Sequence, residues 1–322
     1  MRCMALAQGW QDRGGTVHFL CANLPGSLEE ALLAQKFQVT HMSVAPGSAD
    51  DVNACAQHAT DYGWTVVDGD LFSSEFLGAL KVSQARVLLI DDYGARHNLA
   101  ADVVLNQNLN ANPRLYESSP SATRLLLGTS YLLLRREFRR LTRRVRVAAS
   151  ARQILVTLGG SDPDNLSLRV ANACAMLEPG NFLVTLATTS ANPHLPQLLE
   201  RFDAKSASVA LLVDALNIAE VMANSDLAVI ASGGTLWELL YLGCPVLSYS
   251  RNQAQARLIA ETACLGAARD MGPASAFDGT ALRSEIEELA SSSRQRQAMS
   301  DAGARIADGR GVDRVIEHLL QD

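Results

Sequence analysis

Two short stretches of this chain combine glycine with the residue types that hold a phosphate. Between Asp226 and Pro245 an apolar run (Leu227 to Ala231) leads into Ser232-Gly233-Gly234-Thr235, then into a helical pattern that carries Trp237 and Glu238. Glycine lets backbone N–H groups approach a ligand closely, and a helix start adds unpaired donors at the positive end of its dipole, so this turn suits a diphosphate. Glu238 lies four residues after Gly234, one turn deeper, where a carboxylate can accept from two vicinal ribose hydroxyls. Alone, the GGT turn reads more simply as a tight strand-to-helix connection beside a solvated Glu. The nucleotide reading gains because Gly159-Gly160-Ser161-Asp162 follows a second apolar run, Ile154 to Leu158, in the same half of the chain.

Other polar groups fall at the ends of apolar runs. Asp91-Asp92-Tyr93-Gly94 follows Arg86 to Ile90, Asn106 and Asn108 follow Val103 to Leu105, and Asn252-Gln253 follows Pro245 to Tyr249. Each has an everyday role as well. The aspartates can cap a turn, Asn252 can cap a helix, and Asn106 and Asn108 can satisfy buried backbone groups. His97, just after the DDYG turn, is the one histidine placed by motif near these strand ends, with a surface or capping role expected. His18, His41, His58, His194 and His318 read as structural or solvated.

The elements that must position these groups alternate. Strands are expected at Thr16–Cys21, Gln38–Val44, Trp64–Val67, Arg86–Ile90, Val103–Leu105 and Arg124–Leu127, with helices at Met1–Trp10, Ser27–Lys36, Asp50–Tyr62 and Ser73–Val82 between them. The pattern restarts with strands at Ile154–Leu158, Phe182–Ala187, Ser208–Val213, Leu227–Ala231 and Pro245–Tyr249. Helices are expected at Asn165–Leu177, His194–Phe202, Ile218–Ala223 and Ala254–Thr262, and from Ala281 to Leu320 with a break at Gly309–Gly311. Such alternation predicts parallel α/β sheets in two halves, whose ligands bind beyond the carboxyl ends of the strands and whose facing edges would form a cleft. Between the halves, Arg135 to Arg152 holds eight arginines among Leu, Phe and Val. An anionic or membrane-surface patch is one reading; a linker helix whose long side chains cover a domain boundary is the favoured one.

Composition sets the outer bounds. The 322 residues suffice for two domains, and a formal net charge of -6 argues against general nucleic-acid binding. No apolar run approaches the roughly 20 residues that span a bilayer, and the N-terminus does not read as a signal peptide. A cytoplasmic protein without stable membrane insertion is expected. The six cysteines are scattered and never form C-x-x-C, which favours buried free thiols over disulfides or zinc.

Nearly end to end, the chain resembles the UDP-sugar hydrolase family of pseudaminic acid biosynthesis. That family removes UDP from UDP-2,4-diacetamido-2,4,6-trideoxy-β-L-altrose and is related to the MurG-type glycosyltransferases of GT-B fold. The resemblance is carried, in order, by MRCMALA at the start, VVDGDLF (66–72), LLIDDYG (88–94), ADVVLNQN (101–108), LLGTSYLLLRREF (126–138), ILVTLGGSDPDN (154–165), SGGTLWELLYLGCPV (232–246), NQAQARLIA (252–260) and DGRGVDRV (308–315). It implies a GT-B-like α/β fold of two Rossmann-like domains facing across a cleft. The expected domains are a sugar-side one at 1–140, a linker at 141–152 and a UDP-binding one at 153–322.

The resemblance also implies roles. Gly159, Gly160 and Ser161 would line the phosphate side, Gly233, Gly234 and Thr235 would donate to the diphosphate, and Glu238 would hold the ribose. Asn252 and Gln253 would face the sugar or its phosphate, with Tyr93 and Asn106 on the sugar side. Asp91, Asp92 and Asn252 would take part in turnover, an attack of water on the anomeric carbon with no metal or organic cofactor. The family's catalytic histidine lies in a G-x-G-H loop at the end of the first strand, and the segment matching Met1-Arg2-Cys3 comes just after that loop. A natural start upstream of Met1 is therefore expected, since a doubly wound sheet without its central strand leaves the neighbours unpaired. A glycosyltransferase using the same UDP pocket, and a non-catalytic UDP-sugar binding protein, are the alternatives.

Overall fold

The computed structural model describes residues 1–83, 85–94, 99–143, 146–202 and 209–321. By its internal contacts the chain divides into two units, Met1–Arg136 with Gly309–Asp322, and Glu137–Asp308.

Unit 1 runs α1 (Arg2–Asp12), β1 (His18–Cys21), α2 (Gly26–Ala34), β2 (Gln38–His41), α3 (Ala49–Ala59), β3 (Thr65–Asp68), α4 (Ser74–Val82), β4 (Val87–Ile90), β5 (Val103–Asn106) and β6 (Arg124–Leu127). Two helix starts carry serine caps: Ser48 accepts from Asp51 N, and Ser73 accepts from Phe76 N. The strands β3-β4-β5-β6 form one parallel sheet and β1-β2 another; no described strand pairs with the remaining edge of β1 or of β3. Strands β4 and β5 are buried along their whole length, as their unbroken apolar runs require of a parallel sheet covered on both faces. Helix α1 packs on both pieces, Ala5 and Leu6 against Leu88, Ile90 and Leu105, and Met4 and Ala7 against Phe37 and Phe19.

Unit 2 begins with the short α5 (Arg136–Arg139), whose first residue still belongs to unit 1. It continues β7 (Gln153–Thr157), α6 (Leu166–Cys174), β8 (Leu183–Thr188), α7 (Leu195–Arg201), β9 (Val209–Val213), α8 (Ile218–Asn224), β10 (Leu227–Ala231), α9 (Gly234–Leu242), β11 (Val246–Ser250), α10 (Gln253–Cys264), β12 (Ala268–Pro273), α11 (Gly279–Ser291) and α12 (Ser293–Ile306). Its described strands form one parallel sheet in the order β12-β11-β10-β7-β8-β9. The order reverses between β7 and β10, which makes their carboxyl ends the topological switch point, the place where open α/β sheets bind ligands.

Four expectations change. The arginine-rich linker is helical only at Arg136–Arg139 among the described residues. Its arginines instead bond backbone carbonyls: Arg143 donates to Ser300 O at 2.7 Å and Arg152 to Gly180 O at 2.9 Å. A strand not foreseen, β12, lies at the sheet edge, where a register irregularity opposite Ser248 and Ser250 tolerates Gly272 and Pro273. The C-terminal helical stretch, expected to break at Gly309–Gly311, breaks there and also at Ser292. Ser292 ends α11 and caps α12, and the buried Arg296 donates to Leu289 O and Ala290 O, carbonyls at the end of α11 that also accept from Ser292 N and Ala151 N. The last helix, α13 (Gly311–Leu320), returns to unit 1 instead of completing a second domain that runs to the terminus. Val312, Val315, Ile316 and Leu319 pack there against Ala5, Leu6 and Leu133.

Candidate functional site

In unit 2 the turn after β10 is built to leave backbone donors open. Helix α9 starts at Gly234 with Gly233 as its cap, no side-chain cap bond is made to its first N–H groups among the described residues, and no acidic residue occupies its first turn. A Cβ added at Gly233 or Gly234 would meet no described residue within 4 Å, so there is open space beside both glycines. The helix is seated by Leu236, Trp237, Leu239, Leu240 and Leu242, all buried, and stopped by Gly243 in the left-handed region. Glu238 is half-buried on the same side of the helix as Gly234. Beneath the turn, the Ser232 hydroxyl is buried and has no hydrogen-bond partner among the described residues. Unpaired N–H groups, the dipole end and an unmet hydroxyl together form an anion cradle.

The turn after β7 lies beside it, since β7 and β10 are paired neighbours. Gly159 takes φ +88, a conformation open to glycine, and Gly160 and Ser161 are exposed. Asp162 is fully buried and holds the first amides of α6, accepting from Leu166 N at 3.1 Å and Ser167 N at 2.8 Å. Thr189, at the end of β8, donates to Gly160 O at 2.9 Å. On the other flank of β10, Asn252 caps α10 and accepts from Gln255 N at 2.9 Å, while Gln253 is exposed. The capping role foreseen for Asn252 is thus filled. Arg251 pairs with Asp162 and donates to Leu158 O at 2.6 Å. Sequence reasoning passed over Arg251, whose one available signal was its place beside Asn252 at a strand end.

In unit 1 the adjacent aspartates part company. Asp91 is 2% exposed and its carboxylate accepts from Tyr116 Oη at 2.7 Å and Gly94 N at 2.6 Å. Tyr116 in turn accepts from Asn106 Nδ2 at 2.9 Å, and Asn106 Oδ1 accepts from Asn108 N at 3.1 Å. Burial, then Asp91 beside it, pushes the Tyr116 phenol above its usual range. Asp91 and Asn106, expected at the ligand, therefore belong to a buried network that holds the strand ends. Asp92 turns the other way, accepting from Arg2 Nη1 at 2.7 Å and Asn108 Nδ2 at 3.1 Å, and Tyr93 is 53% exposed. Arg2 also donates to Asp68 Oδ1 at 2.6 Å. Burial acts to raise the Asp68 carboxyl, but the bonds and charge of Arg2 outweigh it and hold it below the usual range. The sequence pointed to neither Arg2 nor Tyr116 as partners.

His97 lies outside the described residues. The other histidines have local structural partners, such as His18 with Thr40, His41 with Glu29 and His194 with Pro163 O. All six cysteines are free, and no group of three or more metal-ligating side chains occurs among the described residues. No described helix is long and apolar enough to cross a membrane.

The architecture is GT-B-like. Over all of this chain and 95% of its own, MurG of Acinetobacter baumannii superposes with a TM-score of 0.66 at 14% identity. The UDP-GlcNAc 2-epimerase of Neisseria meningitidis, bound to UDP-GlcNAc, matches all of this chain and 98% of its own with a TM-score of 0.68 at 14% identity. At the level of sequence, the chain is similar to the UDP-2,4-diacetamido-2,4,6-trideoxy-β-L-altropyranose hydrolase of Campylobacter jejuni, 27% identical over 261 residues, 78% of this chain and 86% of the relative. It is likewise similar to the spore coat polysaccharide biosynthesis protein SpsG of Bacillus subtilis, 27% identical over 253 residues, 77% of this chain and 73% of that protein. No protein-family model matches the chain.

Proposed function

We propose that this protein binds a UDP-sugar through unit 2 and hydrolyses it, releasing UDP from a UDP-2,4-diacetamido-2,4,6-trideoxyhexose by attack of water on the anomeric carbon. The observation that carries the reading is the pair of glycine turns at the switch point, one of them an uncapped helix start facing open space. The N–H groups of Gly233, Gly234 and Thr235 take the diphosphate and absorb the negative charge that grows on it as the sugar leaves. Gly159, Gly160 and Ser161 flank the phosphates, Glu238 accepts from the ribose hydroxyls, and Asn252 and Gln253 border the same strand ends. The similarity to a hydrolase of that substrate supports the reaction class, and the role of such a product is as a free sugar for nonulosonic acid synthesis.

The test is UDP release from the UDP-diacetamido sugar with and without an added acceptor. Release without acceptor is the expected result. UDP formed only when an acceptor is present would make the protein a glycosyltransferase, and thermal stabilisation by UDP without turnover would make it a binding protein. In the same series Glu238→Ala is expected to weaken UDP binding by about 1–3 kcal/mol, the range for a charge-assisted bond. Unchanged affinity by calorimetry would remove Glu238 from the ribose.

A further inference from the structure

Arg251 is the first residue after β11, and its guanidinium reaches past the end of β10 to the turn that follows β7. In the sheet these strands stand in the order β11-β10-β7, so the side chain bridges two strand spacings of about 4.8 Å each. At the far side Nη1 donates to Leu158 O at 2.6 Å and Nη2 bonds Asp162 Oδ1. At the near side the Arg251 backbone N donates to Gln255 Oε1 at 2.8 Å, within the first turn of α10 that Asn252 caps. A Cβ at Gly159 would stand 3.5 Å from Nη1, so the guanidinium packs directly against the first glycine of that turn.

The charge of Arg251 is matched by Asp162, which is completely buried and also holds the Leu166 and Ser167 amides. A buried carboxylate without its cation is strongly disfavoured, so the pair stays made. Arg251 is therefore not the supplier of free positive charge to a ligand. Its planar fork does something a lysine cannot, bonding a carbonyl and a carboxylate at once on either side of Gly159-Gly160.

We propose that Arg251 is the positioning residue of the nucleotide site. It straps the Gly159-Gly160 turn to the Asn252-Gln253 turn, with the Gly233-Gly234 turn between them, so that the donors of all three converge on one diphosphate. This rests on the UDP reading above and sharpens it: the site selects a nucleoside diphosphate over a monophosphate because the strap sets the place of the second phosphate.

The test compares wild type with R251K, which keeps a cation for Asp162 but gives up the fork, and with R251M. UDP and UMP affinities are measured by calorimetry, amide exchange is followed at Leu166, Ser167 and Gln255, and Tm is recorded. For R251K the expected result is a folded protein with faster exchange at those amides, a UDP dissociation constant raised roughly tenfold or more, and a UMP constant changed by less than about threefold. R251M is expected to show the same selectivity change with a lower Tm. If R251M does not fold, R251K decides. Unchanged exchange and unchanged UDP affinity in R251K overturn the proposal, as does a parallel loss of UDP and UMP that simply follows Tm. A wild-type protein that binds neither nucleotide removes the UDP reading and this inference with it, whereas wild-type binding retained in full by R251K removes the inference alone.

Discussion

Asp91 and Asp92 are neighbours of one chemical type, and they do opposite work. Successive residues leaving a strand point to opposite sides, so one of the pair had to turn inward, but which one depends on Tyr116, a residue whose hydroxyl arrives from a separate turn. The outward one, Asp92, shares Arg2 with Asp68, and this makes Arg2 a testable residue. Arg2→Gln leaves two part-buried carboxylates without their cation, and a loss of about 1–3 kcal/mol is expected at pH 7. The pH dependence has a definite sign. The Asp68 carboxyl is depressed in the folded protein, so its pairing stabilises fully above the unfolded carboxylate range and is lost as pH falls through the lower folded value. Urea unfolding at several pH values should therefore show the gap between wild type and Arg2→Gln closing as the solution is acidified. A gap that widens in acid would mean the pair is not what Arg2 contributes.

At the scale of the element, α9 is legible from sequence because every one of its signals is local: two glycines at its start, an apolar face, a glycine after it. The same locality makes a sharp prediction. Gly234 does not require positive φ and faces open space, so Gly234→Asp should fold and should favour the helix start by placing a carboxylate at the positive end of the dipole. That carboxylate would then fill and oppose the place of a diphosphate. A Tm equal to or above wild type together with loss of UDP-induced stabilisation is the expected outcome in a thermal-shift experiment. UDP stabilisation undiminished in that variant would move the phosphate elsewhere. Elements whose signals are not local were harder to read. The arginine-rich segment has helical composition yet forms one turn, because its guanidinium groups bond carbonyls of distant segments instead of lining one helix face. The edge strand β12 was hidden by Gly272 and Pro273, residues that only an edge position tolerates.

At the scale of the whole molecule the chain crosses its own division. Helix α13 is the last element in sequence, yet its apolar face completes the core of unit 1 against α1, β4 and β5. At its start a Cβ on Gly311 would lie 2.2 Å from Leu132 O, so the helix docks too closely for any larger residue. Deleting residues 309–322 should therefore destabilise unit 1 and spare unit 2. Hydrogen exchange should show deprotection of α1 and of β4 to β6 with protection of β7 to β11 retained. Equal deprotection of both units would refute the assignment of α13 to the first.

The sequence by itself determined the alternation of strand and helix, the parallel α/β class and the two glycine turns, because each follows from short-range periodicity and from the conformational freedom of glycine. It also placed Glu238 one turn beyond Gly234. Tertiary structure alone decided that the turns after β7 and β10 are neighbours at a switch point, since strand order is set by long-range pairing. It decided too that Asp91 is buried while Asp92 faces Arg2, and that Arg251 reaches Asp162 across the end of another strand. Those outcomes depend on which hydrogen-bonding and charged groups the fold brings within 3 Å or so of one another, and no local pattern of residues carries that information.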